Sequence, residues 1–132
     1  MIWMDIEGGT HIERARIELA FWFGLKELMP RKQNLDVTIS LCDTDEDVCG
    51  NWYGTKGDSH FIELQTGQET SDLITALFHE MVHLRQCERS ELMEDTLPYY
   101  DRPYEVEAYK LQEELWNRYL EKNSQKDITT IC

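Results

Sequence analysis

Residues 70–88, TSDLITALFHEMVHLRQCE, are the stretch that decides how this chain folds. Thr70 or Ser71 suits the N-cap of a helix, which is predicted to run to about Glu88. On such a helix His79 and His83 lie opposite the main apolar face. Seven apolar side chains share that face: Leu73, Ile74, Leu77, Phe78, Met81, Val82 and Leu84. The stretch therefore predicts an amphipathic helix with a histidine pair on its second side.

The five residues His79-Glu80-Met81-Val82-His83 form the HExxH pattern. Histidines four residues apart project from one side of a helix and can hold one Zn²⁺, while the glutamate between them reaches a water on the metal. Chance would produce this spacing in roughly one of a hundred chains of this composition, and neither histidine belongs to the main apolar face of the helix. We therefore expect His79 and His83 to bind Zn²⁺ and Glu80 to be the catalytic base.

A catalytic zinc usually takes three protein ligands, so one more is needed. No histidine follows His83, but a third helix is predicted to begin at Pro103 and carries two glutamates in its first turns. Glu105 falls within the apolar arc of that helix, whereas Glu107 falls on its polar side. An ionised carboxylate on an apolar face is costly unless it is paired or bound to metal. Glu105 is therefore the predicted third ligand.

Three other residues compete with Glu105 for this role. Cys87 lies one turn beyond His83, but three ligands in a row along one helix would span about 12 Å, too far for one zinc. Cys87 is accordingly expected to be a small buried residue. Asp95 and Asp101 remain weaker alternatives.

The remaining pattern predicts an α+β fold in one domain, residues 1–132, with a small sheet of about three strands packed on helices. Thr10 and Glu13 have capping-box spacing, residues 35–41 alternate with the period of a half-buried strand, and residues 55–58 suit a hairpin turn. Predicted helices cover residues 11–29, 70–88 and 103–122, and predicted strands cover residues 35–41, 51–54 and 60–64.

Thirteen basic against 26 acidic residues give a formal net charge of −13, which disfavours nucleic acid and anionic lipid as partners. No apolar run approaches the roughly 18 to 20 residues that span a membrane, and residues 1–5 lack the features of a signal peptide. We therefore expect a cytoplasmic protein with reduced thiols. Cys42 and Cys49 are close enough in sequence to form a disulfide in an oxidising compartment.

With these residues in place, the chain resembles the gluzincin clan of zinc metallopeptidases, over roughly residues 60–116. Members pair HExxH with a glutamate on a following helix, often as Glu-x-x-Ala, which Glu105-Val106-Glu107-Ala108 matches. The resemblance implies a minimal zincin-like fold with HExxH on its central helix. It also implies that Phe61-Ile62-Glu63-Leu64 is the edge strand above a substrate cleft. The run around Glu105 is also similar to peptidase-like proteins of phages, which implies the cytoplasm of a host cell.

The function expected from this resemblance is zinc-dependent hydrolysis of a peptide or protein substrate, with Glu80 taking a proton from water. A donor to the developing oxyanion should come from outside the metal helix. The candidates are Tyr99, Tyr100, Arg102, Tyr104 and Tyr109. His11 and His60 lie outside the motif, and His60 could line the cleft.

Two further hypotheses stay open. In the first, the chain is a catalytically inactive zincin-fold module that binds zinc and holds a protein partner. In the second, residues 128–132 lie in the cleft and inhibit the enzyme, with Cys132 approaching the metal.

Overall fold

A computed structural model describes residues 1–44, 48–91 and 97–131 of the chain, with side chains up to residue 123. It contains four strands, three α-helices and one turn of 3-10 helix in a mixed α+β arrangement. The strands are β1 (Ile2–Gly8), β2 (Leu35–Cys42), β3 (Gly50–Gly54) and β4 (Ser59–Gln65). The helices are α1 (His11–Leu28), α2 (Thr70–Glu88) and α3 (Pro103–Ile131), and the 3-10 turn is Tyr99–Asp101.

The four strands form one sheet in the order β1-β2-β4-β3. β1 and β4 run parallel to β2, whereas β3 returns antiparallel beside β4 through the predicted hairpin turn. Within that turn the N–H of Asp58 donates to the carbonyl of Thr55, and Gly57 takes a positive φ of 77°. The hairpin places β3 at one edge of the sheet.

The expectation that Phe61-Ile62-Glu63-Leu64 is the edge strand is wrong. These residues belong to β4, which is paired on both sides, by β2 and by β3. The short strand β3 occupies the edge instead, because the chain before the hairpin turn pairs on the outer side of β4. Any segment that adds to this end of the sheet must pair with β3.

A fourth strand, β1, was not predicted from the sequence. It pairs with β2 in register, from Ile2 opposite Leu35 to Gly8 opposite Leu41. A strand, a helix and a parallel strand in this order form a βαβ unit, in which α1 makes the crossover. The prediction of an α+β fold is confirmed, with one strand more than expected.

Helix α1 begins with the predicted capping box. The Glu13 N–H donates to Thr10 Oγ1 at 3.1 Å, and the Thr10 N–H donates to Glu13 Oε1 at 2.9 Å. The Glu13 carboxylate also accepts the Thr66 hydroxyl at 3.0 Å and the Gly67 N–H at 2.9 Å. One carboxylate therefore caps α1 and ties its start to the loop before α2.

The N-cap predicted for α2 is wrong. Glu69 holds that position without a side-chain cap, and Thr70 is the first helical residue. The Thr70 hydroxyl accepts a hydrogen bond from Arg16 of α1 instead. A tertiary contact between α1 and α2 has replaced the local cap.

The core lies between the helices and one face of the sheet. Alternate residues of β2 are buried, and Ile39, Ile62 and Val37 have no exposed surface. Phe78 of α2 packs against Phe23 of α1 and Tyr119 of α3, with ring centroids 6.1 and 5.9 Å away. The three helices thus meet around one aromatic cluster, with α2 in the middle.

Helix α3 extends to Ile131, beyond the predicted end near residue 122. At 1.5 Å per residue, residue 128 lies about 35 Å along the helix from Glu105. A helical C-terminal segment at that distance does not enter a cleft beside Glu105, which argues against the self-inhibition hypothesis. Cys132 lies outside the described residues.

The arrangement of the strands also decides whether Cys42 and Cys49 can form a disulfide. The N–H of Gln65 donates to the carbonyl of Cys49, while Cys42 pairs with Gln65 on the other side of β4. Two strand spacings, about 9.6 Å, therefore separate Cys42 from Cys49, more than a disulfide can span. Both are free thiols in this fold.

Among the described residues, no helix combines the length and apolar character required to cross a bilayer.

Candidate metal centre

The two motif histidines lie at the interface between α2 and α3. His79 is 8% exposed and His83 is 7% exposed, because α3 covers the side of α2 that faces away from its main apolar arc. α2 is therefore buried around most of its circumference, and the polar part of its surface is enclosed with the rest. Buried polar groups are stable only when they are paired, so this enclosed cluster needs partners.

The partner that α3 supplies is Glu105, which is 4% exposed. Its Oε1 atom lies 3.0 Å from His79 Nε2 and 2.7 Å from His83 Nε2. The two Nε2 atoms are 3.2 Å apart. Three potential ligand atoms thus form a small triangle whose members come from two helices.

This triangle fits a tetrahedral metal ion. Bonds of about 2.0–2.1 Å in a tetrahedral site separate neighbouring ligand atoms by about 3.3 Å. The three observed separations fall short of that value by about 0.6 Å or less. Small side-chain rotations would therefore be enough to admit a zinc-sized ion.

The hydrogen bonds to the Nδ1 atom of each imidazole also favour a metal ion at this centre. His83 Nδ1 lies 2.8 Å from Gln86 Oε1, and His79 Nδ1 lies 2.7 Å from Gln112 Oε1. An amide oxygen only accepts, so each Nδ1 must carry the proton, and in a neutral ring the Nε2 lone pair then faces the centre. Two lone pairs and a carboxylate oxygen that face one another require a cation or a proton among them.

Electrostatics at the centre agree with this requirement. Burial alone would raise the pKa of Glu105, but its contacts with His79 and His83 outweigh burial and hold the pKa well below the usual range. Burial alone would lower the pKa of His83, but contacts with Glu105 and Gln86 outweigh it and raise that pKa. The site thus favours an ionised Glu105 and positive charge at His83.

Glu80 lies beside the triangle and completes a buried group with the two histidines that could hold a metal ion. One ligand atom from each of His79, Glu80 and His83 lies within 4.8 Å of the other two. Glu80 is 5% exposed, and within the described ranges its Oε2 accepts no hydrogen bond. Burial raises the pKa of this carboxyl group, ahead of the opposing effect of the two histidines. Glu105 Oε1, by contrast, lies within hydrogen-bonding distance of both imidazoles, at 2.7–3.0 Å.

The structure separates Glu105 from its rivals. Glu107 does not contact the histidines; its Oε1 accepts from Gln86 Nε2 at 2.9 Å and lies 3.5 Å from Arg85. Cys87 is partly exposed, not buried as expected, and takes no place in the group. Asp101 is exposed on the 3-10 turn, and Asp95 lies outside the described residues.

Four tyrosines line the approach to the centre, at different distances from it. The Tyr109 ring packs on His79 with centroids 4.5 Å apart, and the Tyr104 ring lies 6.1 Å from His83. Tyr100 packs on Tyr109 at 5.8 Å and is 73% exposed. Burial raises the pKa of Tyr99, and interactions with Tyr109 and Glu105 raise it further.

Arg102, also a candidate oxyanion donor, is engaged elsewhere. Its Nε donates to the Leu97 carbonyl at 3.0 Å, and its Nη1 donates to the Tyr104 hydroxyl at 3.3 Å.

Edge strand β3 forms the wall opposite the tyrosines. The Trp52 ring lies 6.5 Å from the His83 ring and 6.0 Å from the His60 ring. A β-carbon on Gly50 would approach Glu80 Cγ to 3.4 Å, so the start of β3 passes directly over the glutamate. The start of β3 and the start of α3 therefore flank the centre on two sides.

His60 does not line the approach to the centre. It has no exposed surface and lies behind Trp52, whose Nε1–H donates to His60 Nδ1 at 3.2 Å. The other ring nitrogen lies 3.0 Å from Glu88, which also pairs with Lys32 at 2.6 Å. His60 thus belongs to a buried polar network that supports β3 from below.

Sequence reasoning missed the residues that orient the histidines. Gln86 lies three residues after His83, on the same side of the helix, and that spacing was the only available signal. Gln112 lies 33 residues from His79, and Trp52 lies 31 residues from His83. No sequence pattern indicates such distant contacts.

Comparison with known proteins does not assign the chain to a family or a function. No protein family profile, no curated protein and no solved structure matches this chain significantly. The interpretation of the site therefore rests on the residues and their geometry.

Proposed function

We propose that this protein is a zinc-dependent metallopeptidase. The observation that carries the proposal is the convergence of two imidazole nitrogens and one carboxylate oxygen within 3.2 Å of one another. Both imidazoles are held from behind in the tautomer that presents a lone pair to the centre. Two nitrogen ligands and one carboxylate are the donor set of a class of catalytic zinc sites. The resemblance to gluzincins supports the same choice of metal and reaction.

In this proposal His79, His83 and Glu105 would hold the ion. Zinc, when bound, supplies a Lewis acid that lowers the pKa of water toward about 7 and polarises a carbonyl group. The side chains around the ion would carry out the proton transfer and stabilise the developing oxyanion.

Glu80 would take the proton from the attacking water and deliver it to the leaving amine. A carboxylate that is buried beside the centre and has one oxygen without a hydrogen bond is free to accept that proton. Burial also raises its pKa, which brings its basicity closer to that needed for proton exchange near neutral pH. The Tyr99 and Tyr109 hydroxyls are the nearest neutral donors for a developing oxyanion.

A peptide substrate would bind along β3. The outer edge of this strand has no pairing partner among the described residues, and its start passes over Glu80. An extended peptide could add to that edge through main-chain hydrogen bonds.

The decisive experiment measures peptide hydrolysis and zinc content in the same preparations. Purified protein is loaded with zinc and incubated with a quenched fluorescent peptide library of mixed sequence. Glu80→Gln is expected to retain one zinc per chain and to lose at least about 100-fold in hydrolysis, because it keeps the shape of the side chain and removes the base. Glu18→Gln, an exposed position on α1, is the matched control.

Unchanged hydrolysis by Glu80→Gln would contradict the proposed mechanism. Zinc binding by the wild-type chain without hydrolysis of any library member would favour the alternative, a zinc-binding module that holds a partner. Absence of zinc binding would contradict both.

A further inference from the structure

We propose that Gln86 is the positioning residue of this centre, and that it sets the orientation of His83 and the placement of Glu105 together. The inference rests on the metal site of the proposed function. It concerns a residue outside the HExxH pattern and outside the ligand set. Gln86 is 1% exposed and bridges α2 to the first turns of α3.

Both polar atoms of the Gln86 amide have hydrogen-bond partners. Its Nε2 donates to the Tyr104 carbonyl and to Glu107 Oε1, both at 2.9 Å. Two acceptors on one side leave only the amide oxygen to face His83, at 2.8 Å from Nδ1. The amide is therefore held in one orientation, which presents an acceptor to His83 and donors to α3.

This arrangement couples two ligands through one side chain. The Tyr104 carbonyl immediately precedes Glu105, so the bond to Gln86 sets the position of the helix turn that carries the third ligand. The bond to Nδ1 fixes the ring of His83 at the same time. Arg85 lies 3.5 Å from the Glu107 oxygen that Gln86 contacts, which helps to hold that oxygen in place.

An amide is required here, and a carboxylate would not replace it. Metal-bound histidines are often oriented by carboxylates, and a glutamate could accept from His83 Nδ1 equally well. It could not donate to the Tyr104 carbonyl, and it would place a second buried negative charge against Glu107. The need for a donor on the α3 side explains why a neutral amide occupies this position.

Gln112 provides a matched control, because it makes the equivalent contact with His79. Its Oε1 lies 2.7 Å from His79 Nδ1, but its Nε2 reaches only the exposed Glu113, at 3.3 Å. It is partly exposed, and it lies on the same helix as Glu105. A glutamate at 112 keeps the acceptor for His79 and replaces a weak contact with a like charge beside Glu113, where solvent screens the repulsion because Glu113 is exposed.

The test compares Gln86→Glu with Gln112→Glu by zinc affinity, measured in competition with a chromophoric chelator. Gln86→Glu is expected to weaken zinc binding about 10- to 100-fold, the range found for residues that orient metal ligands. Gln112→Glu is expected to weaken zinc binding less than Gln86→Glu does, because it keeps the acceptor for His79 and breaks no hydrogen bond between α2 and α3. Adding Glu107→Gln to Gln86→Glu restores a donor between positions 86 and 107, and is expected to recover about tenfold. Equal losses in the two single variants, or no loss in Gln86→Glu, would overturn the proposal.

A second variant and a second readout cover the case in which Gln86→Glu does not fold. Gln86→Met keeps the volume of the side chain but cannot accept from His83. In the wild-type protein we expect a His83 Nδ1–H proton resonance that is protected from solvent exchange, with or without zinc, and its loss in Gln86→Met. A resonance that is equally protected in that variant would overturn the proposal. A wild-type chain that shows the resonance but binds no zinc would support the role of Gln86 and refute the proposed function alone.

Discussion

Zinc should stabilise this fold strongly, and the effect should depend on Glu105. The proposed ion joins α2 to α3, since His79 and His83 belong to one helix and Glu105 to the other. A ligand that binds only the folded state at about 1,000 times its Kd adds about 4.1 kcal/mol to the free energy of unfolding. For 132 residues, 1 kcal/mol corresponds to about 3.6 °C in Tm, so zinc should raise Tm by about 15 °C.

Glu105→Gln removes the charged ligand but keeps its shape. If zinc affinity falls about 100-fold, the same zinc concentration contributes about 1.4 kcal/mol, and the rise in Tm shrinks to about 5 °C. Differential scanning calorimetry of chelator-treated and zinc-loaded samples measures both values. Glu121→Gln, an exposed position on the same helix, should behave like the wild type.

Two results would refute this reasoning. The first is a Tm that does not respond to zinc in the wild-type chain. The second is a zinc response lost in Glu107→Gln but kept in Glu105→Gln, which would exchange the roles of the two glutamates.

Two further predictions concern stability away from the centre. Lys32, the Gly57 N–H and His60 outweigh the effect of burial and lower the pKa of Glu88 to about 2. This carboxylate therefore stabilises the fold above about pH 4.5, and its contribution is lost as the pH falls toward 2. In urea unfolding, Glu88→Gln should lower the free energy of unfolding by about 2 kcal/mol at pH 7 and by little near pH 2. An equal loss at both pH values would contradict the lowered pKa of Glu88. Glu13→Ala removes the α1 cap and the contacts with residues 66 and 67, so it should lower the free energy of unfolding by about 1–2 kcal/mol. The exposed control Glu18→Ala should lower it by less than about 0.5 kcal/mol. Similar losses in both variants would argue against a special role for Glu13.

Local patterns were enough to predict most of the secondary structure. The capping box of Thr10 and Glu13 and the alternation after Leu35 depend on neighbours a few residues away, so they can be identified in the sequence. The strand at Ile2–Gly8 was missed because the exposed Trp3 is also apolar and blurs the alternation, and only pairing with β2 identifies it as a strand. The N-cap of α2 was assigned wrongly because Thr70 binds Arg16 of a different helix.

For the candidate site, the sequence led to His79, Glu80 and His83 through their spacing and to Glu105 through its position on an apolar face. The structure brings Glu105 against both imidazoles, packs the Tyr109 ring on His79 and leaves Tyr100 largely exposed. Local sequence patterns could not predict the order of the strands in the sheet. Phe61 and its neighbours form an ordinary strand in sequence, and only the pairing of β4 with β2 shows that β3 is the edge strand.

The sequence by itself determined which residues can take part in chemistry, because helical spacing dictates which side chains project together from one helix. Only the tertiary structure decided how the two helices meet: Gln86 orients His83 from within α2, while Gln112 and Glu105 reach the histidines from α3. These contacts join residues 22 to 33 positions apart, and His83 to Gln86 is the single short-range exception. Packing sets such distances, since the cost of leaving buried polar groups unpaired favours an arrangement in which both imidazoles, the Gln86 amide and the Glu105 carboxylate find partners.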